Sequence, residues 1–324
     1  MTTRFDVVCF GEILWDFFEA EARGDQPMAR TFRCELGGSP ANVAAGLARL
    51  GARTAVAGAV GRDRLGRALR RLLDAEGVST DFVINLPNRT GMTFVVPGPN
   101  GEPEFIPYRH AGADLAMTAA HVTPAMGQAT WGVVGSSSLL TPALAQATAR
   151  FVEMVRAGDG LLFVDLNVRA HLWLNQDQMR TTIADLLTHA DVVKASEADL
   201  LALAGTQIEH WLDRHRQKAT WILTHGARGA DAFGECGRIA VPAQHADLVD
   251  ATGAGDAFVA GVLAVLIAAG ARPATDRWAD PRLWTRALEA GHLMGARAVG
   301  CVGAITGLTN LDRVRALISA PGPS

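Results

Sequence analysis

The stretch LVDATGAGDAFVAGVLAVLIAAG, residues 248–270, places a glycine-rich turn directly before a long apolar segment. The apolar residues predict a helix over 258–269, so Gly253, Ala254 and Gly255 lie at its N-terminus. Free backbone N–H groups and the helix dipole make such a turn a binding site for anions. Glycines also let a phosphate approach the backbone closely, because no Cβ intervenes.

Asp256 follows the glycine turn and lies in the first turn of the predicted helix. A carboxylate at that place can accept the proton of a hydroxyl that attacks a bound phosphate. The alternative is that Asp256 only caps the helix, since aspartate is favoured at helix starts. The turn by itself supports both interpretations.

Around this stretch, short runs rich in valine and isoleucine alternate with segments of helical periodicity. Strands are predicted over 6–10, 54–59, 131–134, 161–165, 192–194 and 220–224. Amphipathic helices are predicted over 40–50, 66–76, 142–156, 176–188 and 197–204. Such alternation predicts a three-layer α/β/α fold, in which helices cover both faces of a mostly parallel central sheet.

Two early segments interrupt the alternation. Residues 13–36 show no helical period, and residues 90–110 predict a hairpin whose turn contains Pro97, Gly98, Asn100 and Gly101. Together they predict a small β-sheet lid over one edge of the central sheet. The expected division is a core of 1–12, 37–89 and 111–320, and a lid of 13–36 and 90–110.

Composition and missing motifs exclude several classes of protein. The formal net charge is −3 and no lysine- and arginine-rich run occurs, so a nucleic-acid partner is not indicated. The longest apolar run, 257–271, is short for a bilayer span, and the four scattered cysteines indicate reduced thiols, so we expect a cytoplasmic protein without a membrane partner. No GxxxxGK[ST] loop is present, and Phe258 stands where a GxGxxG fingerprint needs its third glycine. An NAD-dependent oxidoreductase is therefore the weakest interpretation.

A second glycine-rich stretch, ELGGSPANVAAGLARLG, covers residues 35–51. Gly38 belongs to a flexible turn, and Asn42 projects from the first turn of the following helix, where its amide can hold a polar ligand or act as a local cap. Asp16, after the first strand, can accept hydrogen bonds from sugar hydroxyls or be a solvated loop residue.

VDATGAGDAF and GGSPANVAAGLARLG resemble the C-terminal and N-terminal signatures of the ribokinase-like (PfkB) family of sugar kinases, in the family's order and over nearly the whole chain. YRHAGADLAM (108–117), DLNVRAHLW (165–173), VVKASEADL (192–200) and LTHGARGA (223–230) are most similar to fructokinases within that family. The resemblance implies a ribokinase-like fold, with ATP and a small sugar as partners.

The resemblance also implies roles for residues that match the family's motifs. Asp256 would be the base, and the N–H groups of Gly253, Ala254 and Gly255 would stabilise the transferring phosphoryl group. The sugar would be held by Asp16, Gly38, Asn42, Arg109 and Arg169. An arginine in either of the last two positions can also be an ordinary solvated side chain.

The nucleotide side is implied by three further matches. Thr224 and Gly226 would line the phosphates and ribose of ATP, and Glu197 would hold Mg²⁺ through water, although it can also be a simple helix-start charge. Lys194 stands where many relatives have asparagine, and a lysine there can contact ATP phosphates.

Asp250 and Thr252 match the part of the family that binds K⁺, with carbonyl groups of residues 299–304 completing the site. The alternative is that Asp250 orders the glycine turn by hydrogen bonding.

The resulting hypothesis is an ATP-dependent sugar kinase that converts D-fructose to fructose 6-phosphate and forms a homodimer through the lid. Because two arginines can also read a carboxylate, 2-keto-3-deoxygluconate kinase stays an alternative, as do other sugar or nucleoside kinases of the family. A catalytically silent sugar or nucleotide sensor is the non-enzyme alternative.

Overall fold

The computed structural model describes residues 5–20, 31–98, 103–216 and 218–320. Asn100 and Gly101 of the predicted hairpin turn lie outside the described residues. Within the described ranges, no helix is both long enough and apolar enough to cross a membrane.

Nine strands form the central sheet. In chain order, with the four strands of the second sheet included in the numbering, they are β1 (Phe5–Phe10), β4 (Thr54–Gly61), β5 (Ser79–Leu86), β8 (Ala129–Gly135), β9 (Leu161–Asp165), β10 (Val192–Ser196), β11 (Thr220–Thr224), β12 (Ala230–Gly234) and β13 (Gly237–Val241). Their spatial order is β13-β12-β11-β10-β9-β8-β1-β4-β5, and all neighbours are parallel except β11–β12 and β12–β13. The mostly parallel sheet is confirmed, and all six predicted strands are present.

Within the described residues, ten α-helices connect or follow these strands: α1 (Ser39–Arg49), α2 (Arg64–Ala75), α3 (Pro142–Ala157), α4 (Gln176–Leu187), α5 (Glu197–Ala204), α6 (Ile208–His215), α7 (Ala254–Ala269), α8 (Asp276–Ala279), α9 (Pro281–Ala298) and α10 (Asp312–Ser319). One buried cluster joins the sheet to α1, α2 and α7–α10, and a second joins its other face to α3–α6. The three-layer α/β/α prediction is therefore confirmed, with α7 at the centre of one layer.

The four remaining strands form a separate small sheet of order β3-β2-β6-β7: β2 (Leu14–Glu19), β3 (Phe32–Gly37), β6 (Met92–Pro97) and β7 (Pro103–Tyr108). Side chains alternate between its two faces. Asp16 and Phe105 face a cleft above the core. On the opposite face the rings of Phe17 and Phe94 stack with centroids 5.3 Å apart, and Tyr108 contacts Phe94 edge-to-face, also at 5.3 Å.

The topology determines where a ligand can bind. Strands β1 and β8 are neighbours although they lie far apart in the chain, so the connections on either side of them run in opposite directions. In open α/β sheets, ligands bind outside the carboxyl ends of strands at such a switch point. The small sheet covers this edge, and the cleft lies between the two sheets.

Candidate active site

A cleft of about 300 Å³ opens at the carboxyl ends of the central strands. On the core side it is lined by Gly253, Gly255 and Asp256, and on the small-sheet side by Phe105 and Pro107. Asp16, Gly38, Asn42, Arg109, Arg169, Lys194 and Thr252 complete the set of predicted site residues that line it. Motifs separated by more than 200 residues therefore meet in one cleft.

Asp256 is buried at the start of α7 and is fixed by α1. Ser39 Oγ donates a hydrogen bond to one carboxylate oxygen at 2.7 Å, and Asn42 Nδ2 donates to the other at 2.8 Å. The N-cap of α7 is Gly253, and no side chain caps the helix. Asp256 is thus held facing the cleft. The alternative interpretation, in which Asp256 only caps the helix, is wrong. Asn42 likewise reaches across to Asp256 and does not cap its own helix.

The Asp256 carboxyl is tuned toward proton transfer. Burial and the nearby Asp165 carboxylate raise its pKa to about 6, against the hydrogen bonds from Ser39 and Asn42 and the charge of Lys194, which lower it. A carboxylate with a pKa just below neutral is ionised at physiological pH and still basic enough to take a proton.

The glycine turn has a conformation that depends on Gly253. Its φ of 75° lies in the left-handed region, and a Cβ there would overlap Cα and Cβ of Ala304. The N–H of Ala254 is used inside the turn, where it donates to the carbonyl of Ala251 at 3.3 Å. Gly255 belongs to the first helical turn, whose N–H groups have no acceptor within the helix. The turn therefore directs Gly253 and Gly255, rather than Ala254, toward the cleft.

Asp250 orders the same turn from behind. Its Oδ1 accepts hydrogen bonds from the N–H and hydroxyl of Thr252 at 3.0 and 2.8 Å, and its Oδ2 accepts one from the N–H of Gly303 at 3.1 Å. The carbonyl of Val302, in the loop expected to complete a potassium site, accepts a hydrogen bond from Arg33 at 2.9 Å. These oxygens are directed at protein donors, so the arrangement corresponds to the turn-ordering alternative, and the potassium site stays a prediction.

The far end of the cleft carries two buried carboxyl groups. Asp16, on β2, is 6% exposed, and Glu12 beside it is 8% exposed. Burial, together with the charges of Asp256 and Glu12, raises the pKa of Asp16 to about 8, although Arg109 and Arg169 oppose the shift. Asp16 is therefore a buried group that can both donate and accept hydrogen bonds, and not a solvated loop residue.

The two predicted arginines differ in their surroundings. Arg109 is buried and forms an ion pair with Asp114, with NH2–Oδ2 and Nε–Oδ2 distances of 2.6 and 2.8 Å. Arg169 lies over the ring of Phe105, with its guanidinium carbon 5.4 Å from the centroid. The cation–π contact links the loop after β9 to the small sheet, and it leaves the guanidinium N–H groups available to a ligand.

Lys194 lies in the middle of β10 and lines the cleft, and its Nζ lies 3.0 Å from Oδ1 of Asp165. Burial opposes the ammonium charge, but the Asp165 and Asp199 carboxylates hold the pKa of Lys194 above its ordinary value. The lysine is therefore a fixed positive charge in the cleft.

The other predicted nucleotide residues lie together beside the cleft and do not line it. Glu197, in the first turn of α5, is exposed, contacts His225 Nδ1 at 3.0 Å and also pairs with Arg228. Thr224 and Gly226 flank His225, so the contact places them next to Glu197. In the described part of the chain, no group of three or more His, Cys, Asp or Glu residues could hold a metal by itself.

The sequence interpretation missed several residues that line the cleft or pair with the charged groups that line it. Ser39, Asp114 and Asp165 lie inside motifs that the resemblance already singled out, so proximity to those motifs was a usable signal. Phe105 lies in the predicted hairpin, where the sequence pattern did not distinguish it from the other apolar residues. Glu12 comes two residues after the end of β1. Its place after the carboxyl end of a strand was the only feature of the sequence that indicated a role in the site.

Known proteins are similar to this chain over most of its length. The pfkB family carbohydrate kinase model matches residues 4–311. Fructokinase-1 of Oryza sativa subsp. japonica is 36% identical over 263 residues, which are 79% of this chain and 81% of that protein.

Two solved structures have the same fold. The fructokinase of Xylella fastidiosa with bound ATP superposes with a TM-score of 0.83 at 29% identity, covering 96% of this chain and 97% of that one. The aminoimidazole riboside kinase of Salmonella enterica, complexed with aminoimidazole riboside and an ATP analogue, gives a TM-score of 0.81 at 27% identity, covering 97% and 100%.

Proposed function

The chain belongs to the pfkB family of carbohydrate kinases and is a sugar kinase, and we propose that it phosphorylates D-fructose with ATP to give fructose 6-phosphate. The observation that carries the proposal is the placement of Asp256. Its carboxylate faces the cleft beside the free N–H groups of a helix start, which is what a hydroxyl and a phosphoryl group need in order to react.

In the proposed reaction Asp256 accepts the proton of the sugar hydroxyl. As that hydroxyl oxygen forms its bond to the γ-phosphorus, the bond from phosphorus to the bridging oxygen breaks, and its electron pair leaves with ADP. Gly253 and Gly255 donate N–H groups to the transferring phosphoryl oxygens. Asp16, Gly38, Asn42 and Arg169 are proposed to orient the sugar.

The charges at the sugar end favour a neutral substrate. Arg109 is already neutralised by the buried Asp114 at 2.6 Å, which leaves Arg169 as the positive group next to Glu12 and Asp16. A pKa of about 8 leaves Asp16 largely uncharged at neutral pH, so the acidic Glu12 alone offsets Arg169, and the carboxylate of 2-keto-3-deoxygluconate would find no unpaired positive charge at this end of the cleft. A neutral ketose needs no such charge, because its hydroxyls can donate to Glu12 and Asp16.

For the nucleotide we propose the edge of the sheet near Lys194, Glu197, Thr224 and Gly226. When bound, Mg²⁺ would neutralise phosphate charge, and it commonly takes one or two carboxylates together with phosphate oxygens and water. Glu197 fits that pattern through a bridging water, since its carboxylate is exposed at the sheet edge.

The substrate is tested by coupled ADP-release assays with a panel of D-fructose, 2-keto-3-deoxygluconate, D-ribose and aminoimidazole riboside. We expect the highest kcat/KM for D-fructose. A higher value for the acidic sugar would contradict the charge argument, and a higher value for D-ribose or aminoimidazole riboside would replace fructokinase by another sugar or nucleoside kinase of the family. ATP consumption that does not depend on any sugar would overturn the kinase proposal itself.

The pH profile tests the base. Because Asp256 must be ionised to accept a proton and its pKa is raised to about 6, kcat/KM for the sugar should fall about tenfold per unit below pH 6. Without the raised pKa, the fall would begin near the ordinary aspartate value of about 4.

Ser39→Ala provides the matched control for this profile. The Ser39 hydrogen bond lowers the pKa of Asp256, so its removal should move the acidic limb to higher pH. A limb that stays in place in the variant would show that another group, such as the nucleotide, controls the profile.

We further propose that the small sheet closes over the bound sugar and that its outer face forms a homodimer. Tyr108 is 63% exposed and Ile106 39% exposed on that face, next to the stacked rings of Phe17 and Phe94. Exposed aromatic groups of this kind are typical of protein interfaces.

The proposed cellular location of the enzyme is the cytoplasm. The silent-sensor alternative is disfavoured because a pure binder does not need the buried Asp256.

A further inference from the structure

Lys194 and Asp165 form a buried ion pair between the neighbouring parallel strands β10 and β9. They are directly opposite in the register of β10 and β9, and their side chains are 6% and 2% exposed. The strand pairing fixes both backbones, so the 3.0 Å Nζ–Oδ1 contact is set by the sheet itself. The pair therefore places a positive charge at a position that the fold determines.

The Lys194 ammonium has more N–H donors than Asp165 uses. Asp165 is its single ion-pair partner in the described part of the chain, whereas an ammonium has three N–H donors. Asp199, the other nearby carboxylate, accepts from the N–H groups of Val168 and Ser196 instead. Lys194 thus presents unpaired donors to the cleft that it lines.

The ammonium lies beside another positive group, with the Asp256 carboxyl also near it. A Cβ built on Gly255 would lie 3.2 Å from Lys194 Nζ, so the ammonium lies next to the start of α7. A helix N-terminus carries a partial positive charge, and two positive groups repel unless an anion lies between them. The arrangement therefore fits a phosphoryl group held between Lys194 and the glycine turn.

The choice of lysine is itself informative. Of the 30 lysines and arginines in the chain only two are lysines, Lys194 and Lys218. Arginine is bulky and planar, whereas lysine is a compact point charge that fits the gap beside Gly255. Lys218 is exposed, so Lys194 is the one lysine with a buried, specific environment.

We propose that Asp165 is a positioning residue that holds the Lys194 ammonium on the phosphoryl group during transfer, so that the pair acts on kcat. The proposal rests on the proposed kinase function. Asp165 contributes no proton and touches no substrate; it fixes the direction of the lysine. Lys194 remains protonated throughout, while Asp256 takes the proton of the sugar.

The kinetic test is a double-mutant cycle of Asp165→Asn, Lys194→Met and the double variant, with Lys218→Met as the matched control. We expect each single variant at the pair to lower kcat about 10²-fold with little change in the KM of the sugar. The double variant should be no slower than Lys194→Met alone, because Asp165 acts only through the lysine. Lys218→Met should match the parent enzyme.

The second readout uses the two lysines as separate NMR signals in protein with ¹⁵N-labelled lysine. Addition of ADP, Mg²⁺ and aluminium fluoride, a mimic of the transferring phosphoryl group, should shift the Nζ signal of Lys194 and leave that of Lys218 in place. In Asp165→Asn the Lys194 shift should be greatly reduced. If a single variant is unstable, the double variant can still be compared with the parent enzyme in both measurements, because it leaves neither charge of the pair buried and unpaired.

Two results would overturn the inference: an Asp165→Asn enzyme with parental kcat, or a loss of activity from Asp165→Asn that persists undiminished in the Lys194→Met background. A Lys194 signal that does not respond to the phosphoryl mimic would also exclude it. Failure of the underlying function would look different, since the parent enzyme itself would then phosphorylate no sugar.

Discussion

Asp256→Asn is expected to lower kcat by about 10²–10⁴-fold, the usual contribution of a positioned base. The amide has nearly the shape of the carboxylate and can keep a hydrogen bond to Ser39 or Asn42, but it cannot accept the proton of the sugar hydroxyl. ATP affinity should change little, because the N–H groups of the turn are retained. Steady-state kinetics with a direct ATP-binding measurement separate the two effects.

The same substitution should not lower the thermal stability. The folded-state pKa of Asp256 is raised above the unfolded value, so the fold favours the protonated carboxyl over the ionised one. The stabilisation that the protonated carboxyl gives is complete below about pH 3.8 and is lost as the pH rises through about 6. At pH 8 the asparagine variant avoids this cost, so its Tm should equal or exceed that of the parent.

Asp177→Asn is the matched control, since Asp177 also lies in the first turn of a helix but is exposed and away from the cleft. It should leave kcat unchanged. An Asp256→Asn enzyme within tenfold of parental kcat would contradict the assignment of the base.

Gly253→Ala is expected to abolish most activity and to destabilise the protein by about 2–5 kcal/mol. The left-handed φ of 75° is unfavourable for alanine, and the new methyl group would also collide with the backbone of Ala304. Both effects displace the turn that faces the phosphoryl group. Urea unfolding and kcat measured on the same preparation give the two values.

Gly270→Ala separates the two causes because Gly270 ends the same helix. It has a left-handed φ of 57°, but a Cβ there would meet nothing within 4 Å. It should cost only about 1–2 kcal/mol from backbone strain and leave kcat unchanged. Equal losses of stability in both variants, or normal turnover in Gly253→Ala, would show that the contact with Ala304 is unimportant.

The sequence predicted the central strands well because each is a short apolar run between helical segments. It did not predict β5, whose exposed edge mixes polar residues into the run, nor the antiparallel pair β12–β13, which is short and joined by a tight turn at Glu235 and Cys236. Such edge elements form because a strand already in the sheet offers them a partner, and a local sequence pattern does not show that contact.

For the site, the motifs indicated which residues to expect in the cleft but not how they contact one another. That Ser39 and Asn42 both donate to Asp256, more than 210 residues later, depends on how α1 packs against α7. The neutralisation of Arg109 by Asp114 is equally invisible in a pattern, although the two are five residues apart. Pair geometry of this kind arises from tertiary packing, whereas local patterns report only periodicity and turn chemistry.

The support of the glycine turn by Gly303 and Ala304 has a consequence for the living cell. Gly303 lies 53 residues after Asp250, and every strand of both sheets precedes it. A chain emerging from the ribosome can therefore complete its sheets and begin α7 before the residues that brace the turn have been made. The glycine turn therefore takes its final form late in synthesis, after the described strands of both sheets have been made.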